Sequence, residues 1–100
     1  LIITPLDMAT TTPLAISNIQ VTNVTTTGAT ITWLTNLSAD SRVIFDTISH
    51  PDISALSAPN YGYAFSTITT DAATKVTNHS VTLTNLSANT PYFFRVISST

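Results

Sequence analysis

Apolar and hydroxylated side chains alternate with a period of two in Ala29-Thr30-Ile31-Thr32-Trp33, and Ser80-Val81-Thr82-Leu83-Thr84 repeats the pattern. Successive side chains of a β-strand point to opposite faces. This spacing therefore buries Ile31, Trp33, Val81 and Leu83 on one side of a sheet and turns the hydroxyls to the other. No long stretch keeps the i, i+3, i+4, i+7 apolar spacing of a helix. Thr alone supplies 21 of the 100 residues and Ser another 11, and Thr, Val and Ile suit a pleated, half-buried surface. The chain is read as all-β.

The same alternation marks further strands. Ile19-Gln20-Val21-Thr22 gives one within 14–24. Ser41-Arg42-Val43-Ile44-Phe45 gives one over 41–46, with Val43 and Phe45 inward, and 92–99 gives one with Tyr92, Phe94 and Val96 inward. With 29–35 and 76–86 these make five, and a short sixth is expected around Tyr61 to Ser66. Turn residues separate them at Thr25–Gly28, Asn36–Asp40 and Asn85–Thr90. One hundred residues hold one core and no more. Residues 13–100 are assigned to a single sandwich and residues 1–12 to an N-terminal extension.

Composition narrows the function. Charged residues make up 8% of the chain, against about 25% in ordinary soluble domains. Three Lys+Arg against five Asp+Glu leave no basic footprint for nucleic acid or anionic lipid. With no cysteine there is no disulfide frame, thiolate metal site or Cys nucleophile. No apolar run nears the ~18 residues of a membrane-spanning helix. Hydrophobic residues at 43% and a mean hydropathy of +0.30 argue for a folded chain. The two histidines, His50 and His79, lack carboxylate neighbours at metal-ligand spacing. His50-Pro51-Asp52 reads as a turn and His79 as a surface residue opening a strand. No nucleophile elbow, phosphate-cradling loop or carboxylate pair is visible, so no enzyme and no cofactor are expected.

Ala29-Thr-Ile-Thr-Trp33, Ser41-Arg-Val-Ile-Phe45 and His79 through Val96 together resemble a fibronectin type III domain, an immunoglobulin-like sandwich. They are most similar to the variant at the N-terminus of purple acid phosphatases and in bacterial surface proteins. The resemblance implies that Trp33 is the core tryptophan. It also implies that Leu86…Asn89-Thr90-x-Tyr92 is a tyrosine corner, in which the phenol bonds back to the backbone. Phosphatase chemistry does not follow, because in that family the metal ligands sit in a separate downstream domain.

That family's sandwich has seven strands, and the assignment above runs out before the last. The fold class expected is thus a fibronectin-like β-sandwich with an incomplete final strand and an extra N-terminal segment. The edge formed by Tyr92, Phe94 and Val96 would be left without a partner. Leu1, Ile2, Ile3, Leu6 and Met8 are apolar, and Thr10-Thr11-Thr12 is an uncharged tether. The segment is therefore expected to act as a donor strand, entering a neighbouring copy and building a head-to-tail extracellular filament. Alternatives are a linker in a larger secreted surface or phosphatase-like protein, where the domain would be an adhesion or spacer module, and a strand that fills its own domain. Pro5 suits an edge or a kink.

Four N-x-[ST] sequons, at Asn23, Asn36, Asn78 and Asn85, fall in or beside expected turns and are candidate sites for covalent glycans. Leu34, Ile44, Phe93 and Ile97 point outward by alternation, which suggests a second covered surface, from subunit packing or a glycan layer. Tyr61, Tyr63 and Phe65 alternate and could form a carbohydrate platform, although core packing accounts for them more simply. The expected setting is extracellular or at the cell surface, with other copies of the chain as partners.

Overall fold

The computed structural model describes residues 13–54 and 56–100. The N-terminal extension, with Leu1, Ile2, Ile3, Leu6 and Met8, lies outside the described residues. Six strands follow in order: β1 (Ile16–Thr22), β2 (Ala29–Ala39), β3 (Arg42–Asp46), β4 (Phe65–Ser66), β5 (Val76–Leu83) and β6 (Phe93–Ile97). They form two antiparallel sheets of three strands, ordered β1-β2-β5 and β4-β3-β6. The architecture is the expected immunoglobulin-like sandwich.

Its core follows the period of two. Ile31, Trp33, Val81 and Leu83 of one sheet meet Val43 of the other, with Phe45, Leu86, Phe94 and Val96 packed around them. Trp33 also ties the sheets together, since its indole N–H donates to Ser98 Oγ at 2.9 Å. The hydroxyl face is turned outward as the alternation requires, with Thr30 and Thr82 paired across β2 and β5, 3.3 Å apart at Oγ1. At the β1–β2 turn only glycine fits position 28, because a Cβ there would lie 2.6 Å from the Leu83 carbonyl oxygen.

Three sequence expectations need correction. First, β2 runs on through Ala39, so Asn36–Ala39 is strand where a turn was expected over Asn36–Asp40. Its extra length is held by pairing of Ala39 with Val76 after a register shift and by burial of Thr35 and Ala39. Second, β4 is only Phe65–Ser66. Tyr61 and Gly62 take left-handed backbone angles, φ 49° and 85°, which a strand cannot include. Tyr63 is buried and receives the Arg95 Nε–H at 3.0 Å, so Tyr61, Tyr63 and Phe65 form no shared platform. Third, Ile44 does not face solvent and is 1% exposed. The long β3–β4 connection folds over the outer face of β4-β3-β6. There Arg95 Nη2 donates to the carbonyls of His50 and Pro51, and Arg42 to Asn60 Oδ1 and the Pro59 carbonyl. Ile44 is covered by its own chain, whereas Leu34 and Phe93 remain exposed.

Candidate functional site

The β3–β6 ladder decides which atoms of β6 are spoken for. Asp40 N–H donates to Ser99 O at 2.9 Å, which makes 40 and 99 a hydrogen-bonded pair. In an antiparallel ladder bonded and non-bonded pairs alternate. In register, Arg42–Ile97, Ile44–Arg95 and Asp46–Phe93 are then the bonded pairs. Val43 fits this pattern, because its carbonyl accepts from Thr67 N–H on the β4 side. The backbone groups of Phe94 and Val96 accordingly point away from β3. Among the described residues no strand lies beyond β6.

A slot opens beside that edge. Ile16 and Ile19 of β1 face Phe94 and Val96 of β6 across a cavity of about 410 Å³, which also reaches Ile44, Ile53, Tyr61 and Ile97. A second cavity of about 560 Å³ continues it toward the β1–β2 turn, between Val21 and Val24 on one side and Tyr92 and Phe94 on the other. The two meet at Phe94. Together they run the length of β6, lined mainly by apolar side chains, with Arg95 in the first and Thr25, Thr26, Ser87, Asn89 and Thr90 in the second. Ile19 and Val21 are left 50% and 48% exposed, an unusual state for the inward residues of a strand. Of the residues assigned to the acceptor edge from sequence, Tyr92, Phe94 and Val96, all three line the slot and all are half-buried. The Tyr92 phenol accepts the Ser87 N–H at 2.9 Å, the bond a tyrosine corner requires.

A buried polar cluster formed by β2, β5 and Ser41, just before β3, was missed by sequence reasoning. His79, placed at the surface from its sequence, is 2% exposed and stacks on Trp33 with ring centroids 5.0 Å apart. Its Nδ1 lies 2.6 Å from Ser41 Oγ and its Nε2 2.8 Å from Thr35 Oγ1. The Ser41 hydroxyl in turn donates to the Asp71 carboxylate at 2.6 Å. Burial lowers the His79 pKa, with Asp71 and Asp40 pulling the other way. The signal was available in part: His79 sits at an inward position of the alternation that buries Val81 and Leu83.

His50 also has company that its sequence spacing did not announce. Its Nε2 pairs with Asp46 Oδ2 at 2.8 Å, and its ring packs on Tyr63 at 4.4 Å. The hydrogen bond from His50, followed by those from the Ala64, Thr47 and Ile48 N–H groups, holds the Asp46 carboxyl below its ordinary range against the effect of burial. Among the described residues no group of three or more His, Asp or Glu side chains is arranged to hold a metal ion.

The sequons divide by environment. Asn23 and Asn85 are exposed in left-handed turn positions, φ 50° and 57°. Asn36 and Asn78 lie within β2 and β5 rather than in turns, because both strands extend past the hydroxyl punctuation. The Asn36 carboxamide is occupied, accepting from Ala15 N–H at 2.8 Å and donating to the Pro13 carbonyl at 3.0 Å.

No curated protein and no solved structure matches this chain. A family model does, that of the purple acid phosphatase N-terminal domain, over residues 15–100. The matched span takes in every strand, both walls of the slot and the tyrosine corner. On that match the chain belongs to the family of purple acid phosphatase N-terminal domains.

Proposed function

We propose that this domain is a non-catalytic structural module whose sandwich is completed by an added strand, and that it serves as the subunit of an extracellular filament. Residues 1–8 of one copy fill the slot of the next. The observation that carries this reading is the coincidence of the apolar slot with the outward-pointing backbone of Phe94 and Val96. An inserted strand would give those backbone groups partners and cover Ile16, Ile19 and Val21 at the same time. The segment has suitable chemistry: Leu1, Ile2, Ile3, Leu6 and Met8 are apolar, and Asp7 is its one charged side chain. A contact from one end to the other is heterologous and propagates. The low charge of the chain and the exposed Asn23, Asn78 and Asn85 support an extracellular setting with glycans at those three positions.

The family match favours a second reading, in which the domain is a spacer or adhesion module of a larger, phosphatase-like secreted protein. The strand would then come from elsewhere in a longer chain. Electron microscopy and sedimentation of the full chain and of a version lacking residues 1–12 separate the two. Filaments from the full chain and monomers from the truncated one are expected. A synthetic peptide of residues 1–12 should then bind the truncated domain and raise its Tm, since a ligand of the folded state stabilises it. A monomeric full chain, with a truncated domain indifferent to the peptide, would assign the spacer role instead.

A further inference from the structure

We infer that the inserted strand runs antiparallel to β6, with Ile2, Leu6 and Met8 facing inward and Asp7 outward, and that it must come from a second copy of the chain. The inference rests on the strand-accepting function proposed above. It follows from Pro5, from the phase of the β6 backbone and from the length of the tether.

Pro5 has no N–H to give. In an antiparallel pair, residues directly opposite each other share a face and, at alternate positions, exchange both backbone bonds. Phe94 and Val96 offer their backbone to the slot and their side chains to the core. Any residue opposite them must likewise face inward and supply an N–H. Pro5 cannot, so it falls on the outward phase with Leu1, Ile3 and Asp7. The inward phase is then Ile2, Thr4, Leu6 and Met8. A parallel strand would reverse the assignment, because there the inward residues opposite Phe94 and Val96 turn their N–H away. Pro5 and Asp7 would then be inward together, on the face of Phe94 and Val96. The guanidinium of Arg95, which also lines the cavity, is engaged by Tyr63, His50 and Pro51. An ionised carboxylate would thus enter the core face with no partner. Antiparallel insertion keeps the carboxylate in water.

The slot sets the register. Seating Leu6 opposite Phe94, where the two cavities meet, pairs Ile2–Met8 with Tyr92–Ser98. The outward Leu1 and Ile3 then lie at the end of the slot where Ile44, Ile53 and Ile97 are also apolar. An uninterrupted Leu-Ile-Ile run suits a position covered on both faces.

Direction then decides between self and neighbour. Running antiparallel to β6, the strand finishes with Met8 beside Tyr92, at the level of Val21. Pro13 is anchored at the other end of β1, where its carbonyl accepts from Asn36. Met8 and Pro13 are five Cα–Cα steps apart, about 18 Å at full extension. From the level of Ala15, whose carbonyl receives the Asn36 N–H, to that of Val21, paired with Ile31, is already five positions of β2. That is about 17 Å at ~3.3 Å per residue, and Pro13 lies two residues farther. The tether would be spent before it crossed from β1 to the slot, so a chain inserted in this direction cannot fill itself.

The chain has no cysteine, so cross-linking with introduced pairs is clean. In this register Asp7 lies opposite Phe93, both outward at a non-bonded position where Cβ atoms are close. Oxidation of D7C/F93C full chain should give a covalent ladder, and M8C/I97C, which reports a parallel strand, should give none. Leu6→Asp should raise the critical concentration for assembly by about 100-fold, while Asp7→Lys, outward and in water, changes it by less than about tenfold. A ladder from M8C/I97C alone overturns the direction and leaves strand acceptance standing. D7C/F93C closing within one chain overturns the second copy. Filaments in which neither pair cross-links overturn the pairing with β6. A monomer that cross-links in neither way removes the strand-accepting function itself.

Discussion

The centre of the sandwich and its β1–β6 side use the same residue types in the same alternation and end in opposite states. In the centre, Ile31, Trp33 and Val43 are at most 2% exposed, and the polar groups beside them are satisfied through Ser41, His79 and Thr35. On the β1–β6 side, Ile19 and Val21 stand about half exposed, facing Phe94 and Val96 across open space. Alternation tells which face of a strand wants burial. Whether burial happens depends on a neighbour that the strand itself does not encode. Fully burying such a side chain contributes roughly 1.5–3 kcal/mol. With Ile19 and Val21 already about half covered, the open side forgoes about half of that at each, a noticeable part of the ~5–15 kcal/mol that stabilises a domain.

Substitutions can break or sharpen that contrast. The largest effect is expected in the centre. Trp33→Ala empties a fully buried site and removes the bond to Ser98, and should cost about 3–5 kcal/mol in denaturant unfolding. A loss below 1 kcal/mol would mean the centre is no better packed than the slot.

Acid should come next. Burial holds the His79 pKa below its ordinary value, so in the folded state the ring resists a proton that the unfolded chain accepts. Stability from this group is fully present above the unfolded His value of about 6.5 and is lost as pH falls below it. Unfolding followed from pH 7.5 to 5 should show that decline, and His79→Gln should flatten it even though the variant is less stable throughout. An unchanged slope in the variant would show that the decline does not come from His79. Asp46, held below its ordinary range, loses its own contribution only at lower pH, outside this window.

The smallest effect belongs to the open side. Ile19→Ser in the domain lacking residues 1–12 should change stability by no more than about 0.5 kcal/mol, as for other exposed substitutions. The same change should weaken binding of a peptide of residues 1–12 several-fold. A large effect on the isolated domain would show the slot to be closed in solution.

How legible each region was in the sequence follows from the same contrast. The strands in the centre were readable because β2, β3 and β5 alternate cleanly, and the inward phase of Tyr92, Phe94 and Val96 was readable for the same reason. The end of β2 was not, since Asn36-Leu37-Ser38 has the composition of a turn while Ala39 pairs with Val76. His79 was misplaced because a histidine after Asn78 looks polar, although its phase matches Val81 and Leu83. The cover over Ile44 was hidden for a different reason. It depends on Arg42 and Arg95 reaching carbonyls of the β3–β4 connection, 17 and 45 residues away in sequence, and no local pattern encodes such a reach.

The clasp at Asn36 has a mechanical side. Its carboxamide grips Pro13 and Ala15 just before β1 begins, so tension arriving from residues 1–12 does not reach a loose end. It enters through side-chain bonds into β2, the middle strand of its sheet. A pull along the strand axis loads the β1–β2 ladder in shear, with its five paired positions resisting at once instead of opening one by one. A single asparagine thereby sets where the domain yields under load: the clasp must let go before β1 can be peeled from the sheet.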